Sequence, residues 1–240
     1  VKYHLGTMYT KHFKDGKKMT VEVLPNPSHL ECINPVVMGR VRAENHIVNK
    51  VNGVKHARNK IVPFLIHGDA AFAGQGVVYE TMQMQDLRNY SVGGTIHVIV
   101  NNQIGFTTVP SKGRSNVYSS DLAKAFDAPI FHVNGDDPEA VCLATEIALD
   151  YRTTFGRDVV IDLVCYRRLG HNEQDEPMVT HTVAMVGGKD YHGVLQVSPL
   201  LKRLQEFTDL LIDHRNVGEI IGPKTLHLFR CRIKRPNDRI

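Results

Sequence analysis

The chain alternates between short β-branched apolar runs and longer stretches with helical spacing. Residues 62–66 form an apolar run short enough for a buried strand, and residues 95–100 form a second one. Between them Val77, Val78, Met82, Met84 and Leu87 are apolar while Glu80, Gln83, Asp86 and Arg88 are polar, which predicts a moderately amphipathic helix over 77–87. Ser91, Gly93 and Gly94 break it. A strand–helix–strand unit is right-handed almost without exception, so both strands run parallel and finish at one sheet edge. Two further strands are predicted at 130–133 and 159–166, the second continuous enough to be buried on both faces. Helices are predicted at 35–48, 122–126 and 140–152. Before the last of these Asp137 caps, Pro138 takes the first helical position and Glu139 favours the dipole. Residues 20–24 alternate as a strand after a basic turn around Asp15 and Gly16, whereas 49–60 reads as an exposed loop and 107–121 as a loop over the edge where the strands finish, ordered once that edge is occupied. The fold class is α/β: three layers, a mostly parallel sheet with helices on both faces.

That topology brings Asp69, just past the first strand of the unit, near Asn102, just past the second, although 33 positions separate them. The carboxyl edge of such a sheet is where doubly wound folds bind ligands. A carboxylate, a side-chain amide oxygen and a turn carbonyl near Ile104 are three hard oxygen donors, half of an octahedral Mg²⁺ shell. Gly74 and Gly76 stand where the helix is predicted to begin and lack Cβ atoms, so a phosphate can approach the backbone N–H groups there. The same residues also suit an N-capping Asp and a turn Asn of an ordinary α/β protein. Two prolines, Pro25 and Pro27, stiffen a loop that carries His29, Leu30 and Glu31. His29 is a pocket candidate there, or a hydrogen-bonded structural histidine. Asp136 and Asp137 resemble metal ligands in type, but capping is the better use of Asp137.

Gly68-Asp69-Ala70 followed a helix and a strand later by Asn101-Asn102 resembles the thiamin diphosphate motif. The fuller strings at 67–80, 100–108, 128–141 and 158–177 resemble the thiamin-dependent first components of 2-oxoglutarate dehydrogenase complexes, over about residues 1–180. That resemblance implies thiamin diphosphate and Mg²⁺ as cofactors, with Asp69, Asn102 and the Ile104 carbonyl holding the metal. Ala70 would stand in the cofactor site where the wider superfamily has Gly. His171, in Gly170-His171 after the fourth strand, would donate a hydrogen bond to the diphosphate, with its pKa raised by the anion. His4, in the Val-Lys-Tyr-His segment, and His29 would line the 2-oxo acid pocket as substrate or proton-transfer residues, with Leu30 packing against the cofactor. The implied reaction is decarboxylation of 2-oxoglutarate and transfer of the succinyl group to a lipoyl carrier on the acyltransferase component, within a homodimer. Asn102 to Phe106 and Tyr166 to Arg168 look more like the 2-oxoglutarate branch than its 2-oxoadipate relatives. The resemblance also implies a mitochondrial matrix location in a eukaryote, or a cytoplasmic one in a bacterium.

Composition narrows the field without choosing the function. Hydrophobic residues make up 42% and charged residues 22% of 240, ordinary for a globular chain that can bury one good core. A net charge of +4 without a basic, aromatic-laced stripe argues against a nucleic-acid surface, and it suits an acidic small molecule or a diphosphate. No apolar run approaches the ~20 residues of a membrane span. The four cysteines are widely spaced without a CxxC pair, and Cys142 and Cys165 read as buried thiols. Neither a zinc-deaminase nor an HExxH zinc pattern is present. Val1 begins mid-motif, so the chain is expected to be a fragment. Residues 181–240 read as a divergent segment, a helix over 198–215 followed by a basic tail. The competing expectation is a non-catalytic fragment that binds Mg²⁺-diphosphate or helps assemble a complex.

Overall fold

The computed structural model describes residues 2–51 and 60–167. Its centre is a four-stranded sheet of β3 (Phe64–Gly68), β4 (Ile96–Asn101), β5 (Ile130–Asn134) and β6 (Val159–Val164), in the order β3-β4-β6-β5. Every pairing is parallel, with Phe64 opposite Ile96, Ile96 opposite Val159, and Ile130 opposite Val160. Such strands are joined by crossovers, and the crossover elements cover the two faces. On one face Phe72, Val78, Met82, Ala123 and Phe126 pack against Ile99 of β4 and Val160 of β6. On the other, Ala144 and Ala148 of α5 (Pro138–Phe155) pack against Ile96, Val133, Val159 and Ile161. Val159, Val160 and Ile161 alternate between the two clusters and are all buried, which is why this strand reads as a continuous apolar run. Three layers result, as the periodicity predicts.

Several elements differ from the sequence expectation. The helix expected over 77–87 is shorter, α3 (Gly76–Met82), and an unanticipated short helix, α2 (Asp69–Gly74), precedes it, separated by Gln75 in an extended conformation. The chain then turns rather than continuing, because Gln85 is drawn inward. Its amide donates to the Phe126 carbonyl at 3.2 Å and its oxygen accepts from the Asp158 amide at 3.2 Å. Helix α1 (Ile33–Val51) is longer than expected and packs Met38 and Val41 against Val92. The loop expected over 107–121 contains a one-turn helix, α4 (Pro110–Gly113), and the start of a 3-10 stretch, Ser119–Phe126. The predicted strand near residue 20 is β2 (Lys18–Val23), which pairs antiparallel with an unanticipated β1 (Thr7–His12). Gly16, at φ +82°, makes the connecting turn. Cys142 is exposed on α5, against expectation, since Val141 and Ala144 take the sheet-facing positions. Cys165 is half-buried, and burial pushes its thiol up to about 11.

Two tight features fix the sheet's amino-terminal edge. Gly94 has φ +88°, and a Cβ there would lie 2.2 Å from the Arg157 carbonyl oxygen, so no side chain fits. Arg152, fully buried at the end of α5, donates to the carbonyls of Gly94 (3.0 Å), Ile61 (3.0 Å) and Val92 (3.3 Å). A buried guanidinium is tolerable when its donors meet oriented carbonyl dipoles.

Candidate functional site

The carboxyl edge of β3 and β4 carries the predicted metal-binding residues. Gly68 pairs with Val100, so Asp69 stands level with Asn101 and one step from Asn102. Asp69 opens α2 but does not cap it; Gly68 holds the cap position, with no side-chain cap bond. The carboxylate is 2% exposed and accepts a hydrogen bond from Arg114 Nη1 at 2.9 Å. Burial raises the Asp69 pKa, while the Arg114 hydrogen bond and charge act in the opposite direction. The simple capping role is therefore not what this carboxylate does.

Beyond β4 the chain winds tightly. Gln103 (φ +61°) and Phe106 (φ +54°) are in the left-handed region, an unfavourable place for non-glycine residues and one that clusters at binding sites. Gly105 and Thr108 exchange backbone hydrogen bonds of 2.9 and 2.8 Å, and Gln103 donates to the Cys165 carbonyl at 3.4 Å. Gly105 is needed because a Cβ would come within 2.5 Å of Ala70 Cβ. Ala70 thus packs under the turn that presents Ile104. The Asn102 amide, oriented to satisfy its surroundings, donates to the Ile104 carbonyl at 3.0 Å and accepts from Arg167 Nε at 3.3 Å. The residues present fit the ion in type, a carboxylate at one strand end and an amide and a carbonyl at the next, but the Asn102 nitrogen faces the Ile104 carbonyl, so the amide would turn over to offer its oxygen to a metal. Among the described residues no three His, Cys, Asp or Glu side chains converge on a metal position, so such a site would combine one charge with neutral oxygens. That suits a hard ion which keeps places for phosphate and water. At Gly74 and Gly76 a Cβ would meet no atom of the described residues within 4 Å.

The histidine candidates separate into two groups. His4, in the 3-10 turn Lys2–Leu5, donates through Nδ1 to the Asn26 carbonyl, which joins its segment to the loop that carries His29. His29 and Leu30 are exposed, and Leu30 is not packed in the core. His171 lies outside the described residues. Sequence reasoning misses a different pair, His67 and His97. Glu31 Oε2 accepts from Asn34 at 2.8 Å and from His67 Nδ1 at 2.6 Å; His67 Nε2 lies 3.0 Å from His97 Nδ1, and His97 Nε2 lies 3.5 Å from Asp158. Phe72 meets the His67 ring edge-on at 4.9 Å. Burial lowers the His67 pKa, while the Glu31 hydrogen bond opposes the shift. Glu31 itself has φ +68° and directly follows His29 and Leu30, so this buried chain ties the proline-rich loop to β3, the strand that leads into Asp69. The alternation of β3 places His67 on the inward face beside Leu65, a signal the sequence does carry. A second buried group supports Asn102 from below: Asp162 accepts from Asn101 (3.0 Å) and Ser120 (2.9 Å), with His132 Nδ1 at 3.1 Å.

Comparison with known proteins gives the chain's family. The family described as dehydrogenase E1 component matches residues 1–206, so the likeness runs past residue 180. A 2-oxoglutarate dehydrogenase-like, mitochondrial protein of Xenopus laevis is 51% identical over 233 residues, covering 91% of this chain and 22% of that protein. Its counterpart in Rattus norvegicus is 49% identical over 214 residues, covering 88% and 20%. A 2-oxoglutarate dehydrogenase E1 component of Brucella anthropi is 54% identical over 184 residues, covering 75% and 18%. The chain spans about a fifth of the length of these relatives. With 206 residues matched and a parallel sheet that sets Asp69 beside Asn102, the chain belongs to the dehydrogenase E1 component family.

Proposed function

We propose that this chain is the metal- and diphosphate-binding part of a thiamin diphosphate-dependent 2-oxo acid dehydrogenase that acts on 2-oxoglutarate. The parallel pairing of β3 with β4, which sets Asp69 and the 102–104 turn at one sheet edge, carries the proposal. When bound, the cofactor supplies the electron sink for loss of carbon dioxide from the 2-oxo acid. Asp69, Asn102 and the Ile104 carbonyl hold Mg²⁺; Ala70 supports the turn through Gly105; His171 donates to the diphosphate. His4 and His29 bind the substrate or move its protons, and the His4–Asn26 hydrogen bond keeps their segments together. The likeness to 2-oxoglutarate dehydrogenases also supports succinyl transfer to a lipoyl-bearing acyltransferase, a homodimer, and a mitochondrial matrix location in a eukaryote or a cytoplasmic one in a bacterium. Among the described residues no helix is long and apolar enough to cross a membrane. Residues 1–180 form the cofactor-binding part and 181–240 a separate segment.

Calorimetric titration of thiamin diphosphate, with and without Mg²⁺, tests the proposal. Binding should require Mg²⁺, and Asp69→Ala should abolish the Mg²⁺-dependent part while circular dichroism stays unchanged. Equal affinity in the variant overturns the metal assignment.

A further inference from the structure

The β1–β2 hairpin stands between the two pocket candidates: β1 begins three residues after His4, and β2 ends six residues before His29. Its base is tightly closed. Gly6 has φ +70°, a Cβ there would lie 2.9 Å from both the Val23 carbonyl oxygen and Pro25 Cδ, and His4 donates to the Asn26 carbonyl. The strand register divides the hairpin into two faces. Tyr9 opposite Val21, Lys11 opposite Met19 and Thr7 opposite Val23 share one; Met8 opposite Glu22, Thr10 opposite Thr20 and His12 opposite Lys18 share the other. Glu22 accepts from Arg40 of α1 at 3.4 Å, which turns the mostly polar face toward α1. The other face points away, with Tyr9, Met19, Val21 and Val23 exposed. A two-stranded sheet of this kind is marginal in water until something packs on its apolar side. At the far end, residues 11–18 hold Lys11, Lys14, Lys17 and Lys18 against one acid, Asp15.

Resting on the reading that His4 and His29 line the substrate pocket, we propose that the apolar face and lysine tip of this hairpin are the docking surface for the acyl-accepting carrier, a folded domain whose surface sets acidic residues beside apolar ones. A carrier that delivers an acceptor arm into a pocket must seat at its rim, and the hairpin rises from that rim on a closed base. The lysines steer and orient an acidic surface, and the apolar face holds it once seated. Charge selects this occupant over two others. Nucleic acid would use the lysines but leave Tyr9, Met19 and Val21 in water. A second copy of the chain would bring lysine tips of like charge together.

Biolayer interferometry of the chain against the purified, lipoylated acyltransferase component tests this. Affinity should fall about tenfold between ionic strengths of about 0.01 M and 0.15 M, as exposed charges are screened. Lys14→Glu with Lys18→Glu should weaken binding about tenfold at low salt and flatten that dependence. Tyr9→Ser with Val21→Thr should weaken it about tenfold and leave the salt dependence in place. These four side chains are exposed, so circular dichroism should not change, and Arg88→Glu, exposed in the turns after α3, should bind as the wild type does. If the apolar pair does not fold, the lysine pair decides. A wild-type chain that does not bind, or hairpin variants that bind as tightly as the wild type, overturn the docking surface. So does sedimentation that changes in these variants while acyltransferase affinity does not, since a second copy then covers the face. Thiamin diphosphate titration of the same chains separates the two readings. Cofactor bound by all of them, with acyltransferase affinity unchanged, sinks the docking surface only. Cofactor bound by none, with acyltransferase binding lost in the hairpin variants, sinks the cofactor reading and supports the docking surface.

Discussion

Burial holds His67 below the ordinary 6.5 even though Glu31 lies 2.6 Å away. The sign of the pH dependence follows. In the unfolded chain the imidazole takes up its proton near 6.5, while the folded site resists it, so the unfolded state binds more protons as pH falls. The stability from this group is present above that value and declines below it. Urea midpoints at pH 7.5 and 5.5 should fall further for the wild type than for His67→Gln; equal declines would remove His67 as a source. The residues of the candidate site were unequally legible from sequence. Asp69 and Asn102 stand at fixed offsets from two apolar runs, so topology alone brings them together. Arg114, 45 positions from Asp69, and Asp158, 61 from His97, meet their partners only through loop paths and strand order that no local pattern encodes.

Elements were legible where periodicity and burial agree. The central strands β4 and β6 are β-branched runs with both faces covered, β3 alternates exposed and buried positions, and Asp137-Pro138-Glu139 marks the start of α5 by chemistry rather than by pattern. The cap is as expected: Asp137 Oδ1 accepts from the Ala140 amide at 2.9 Å. Asp137→Ala should cost about 1 kcal/mol, the usual value for loss of a side-chain cap, readable as a lower denaturant midpoint with an unchanged slope. Misreadings fall where a tertiary contact overrides the local signal. Gln85 leaves the expected helix to bridge Phe126 and Asp158. The β1–β2 hairpin is exposed on every residue; β2 still shows in its alternation, but β1 has no inward face to reveal a period. The Asp15-Gly16 pair is still a hairpin signal, with strand-forming residues on both sides.

At the scale of the whole molecule, the described surface leaves Phe64 and Ile66 of β3 45% and 70% exposed on the face that α5 covers elsewhere. Since the chain spans about a fifth of its relatives' length, one wall of a catalytic pocket is the appropriate expectation for these 240 residues. The purified chain should bind Mg²⁺-thiamin diphosphate yet release no carbon dioxide from labelled 2-oxoglutarate. Release that is lost in Asp69→Ala would show that the chain is catalytically self-sufficient.

The all-parallel strand order has a consequence in time as well as in space. β3 meets β4 across 32 residues and β5 meets β6 across 30, but the seam that joins the halves, Ile96 beside Val159, closes a loop of 63. Loop closure grows costlier with length, and sheets made only of distant pairings are slow to form. The two outer βα halves should therefore gain order first and the β4–β6 seam last, in milliseconds to seconds rather than microseconds. In pulse-labelled hydrogen exchange during refolding, the Val159 amide, which bonds to the Thr95 carbonyl at the start of that seam, should be protected after the Val141 amide of α5. A chain emerging from the ribosome would then hold Asp69 and Asn102 before its sheet is closed, with the apolar edge of β4 open to other chains until β6 arrives.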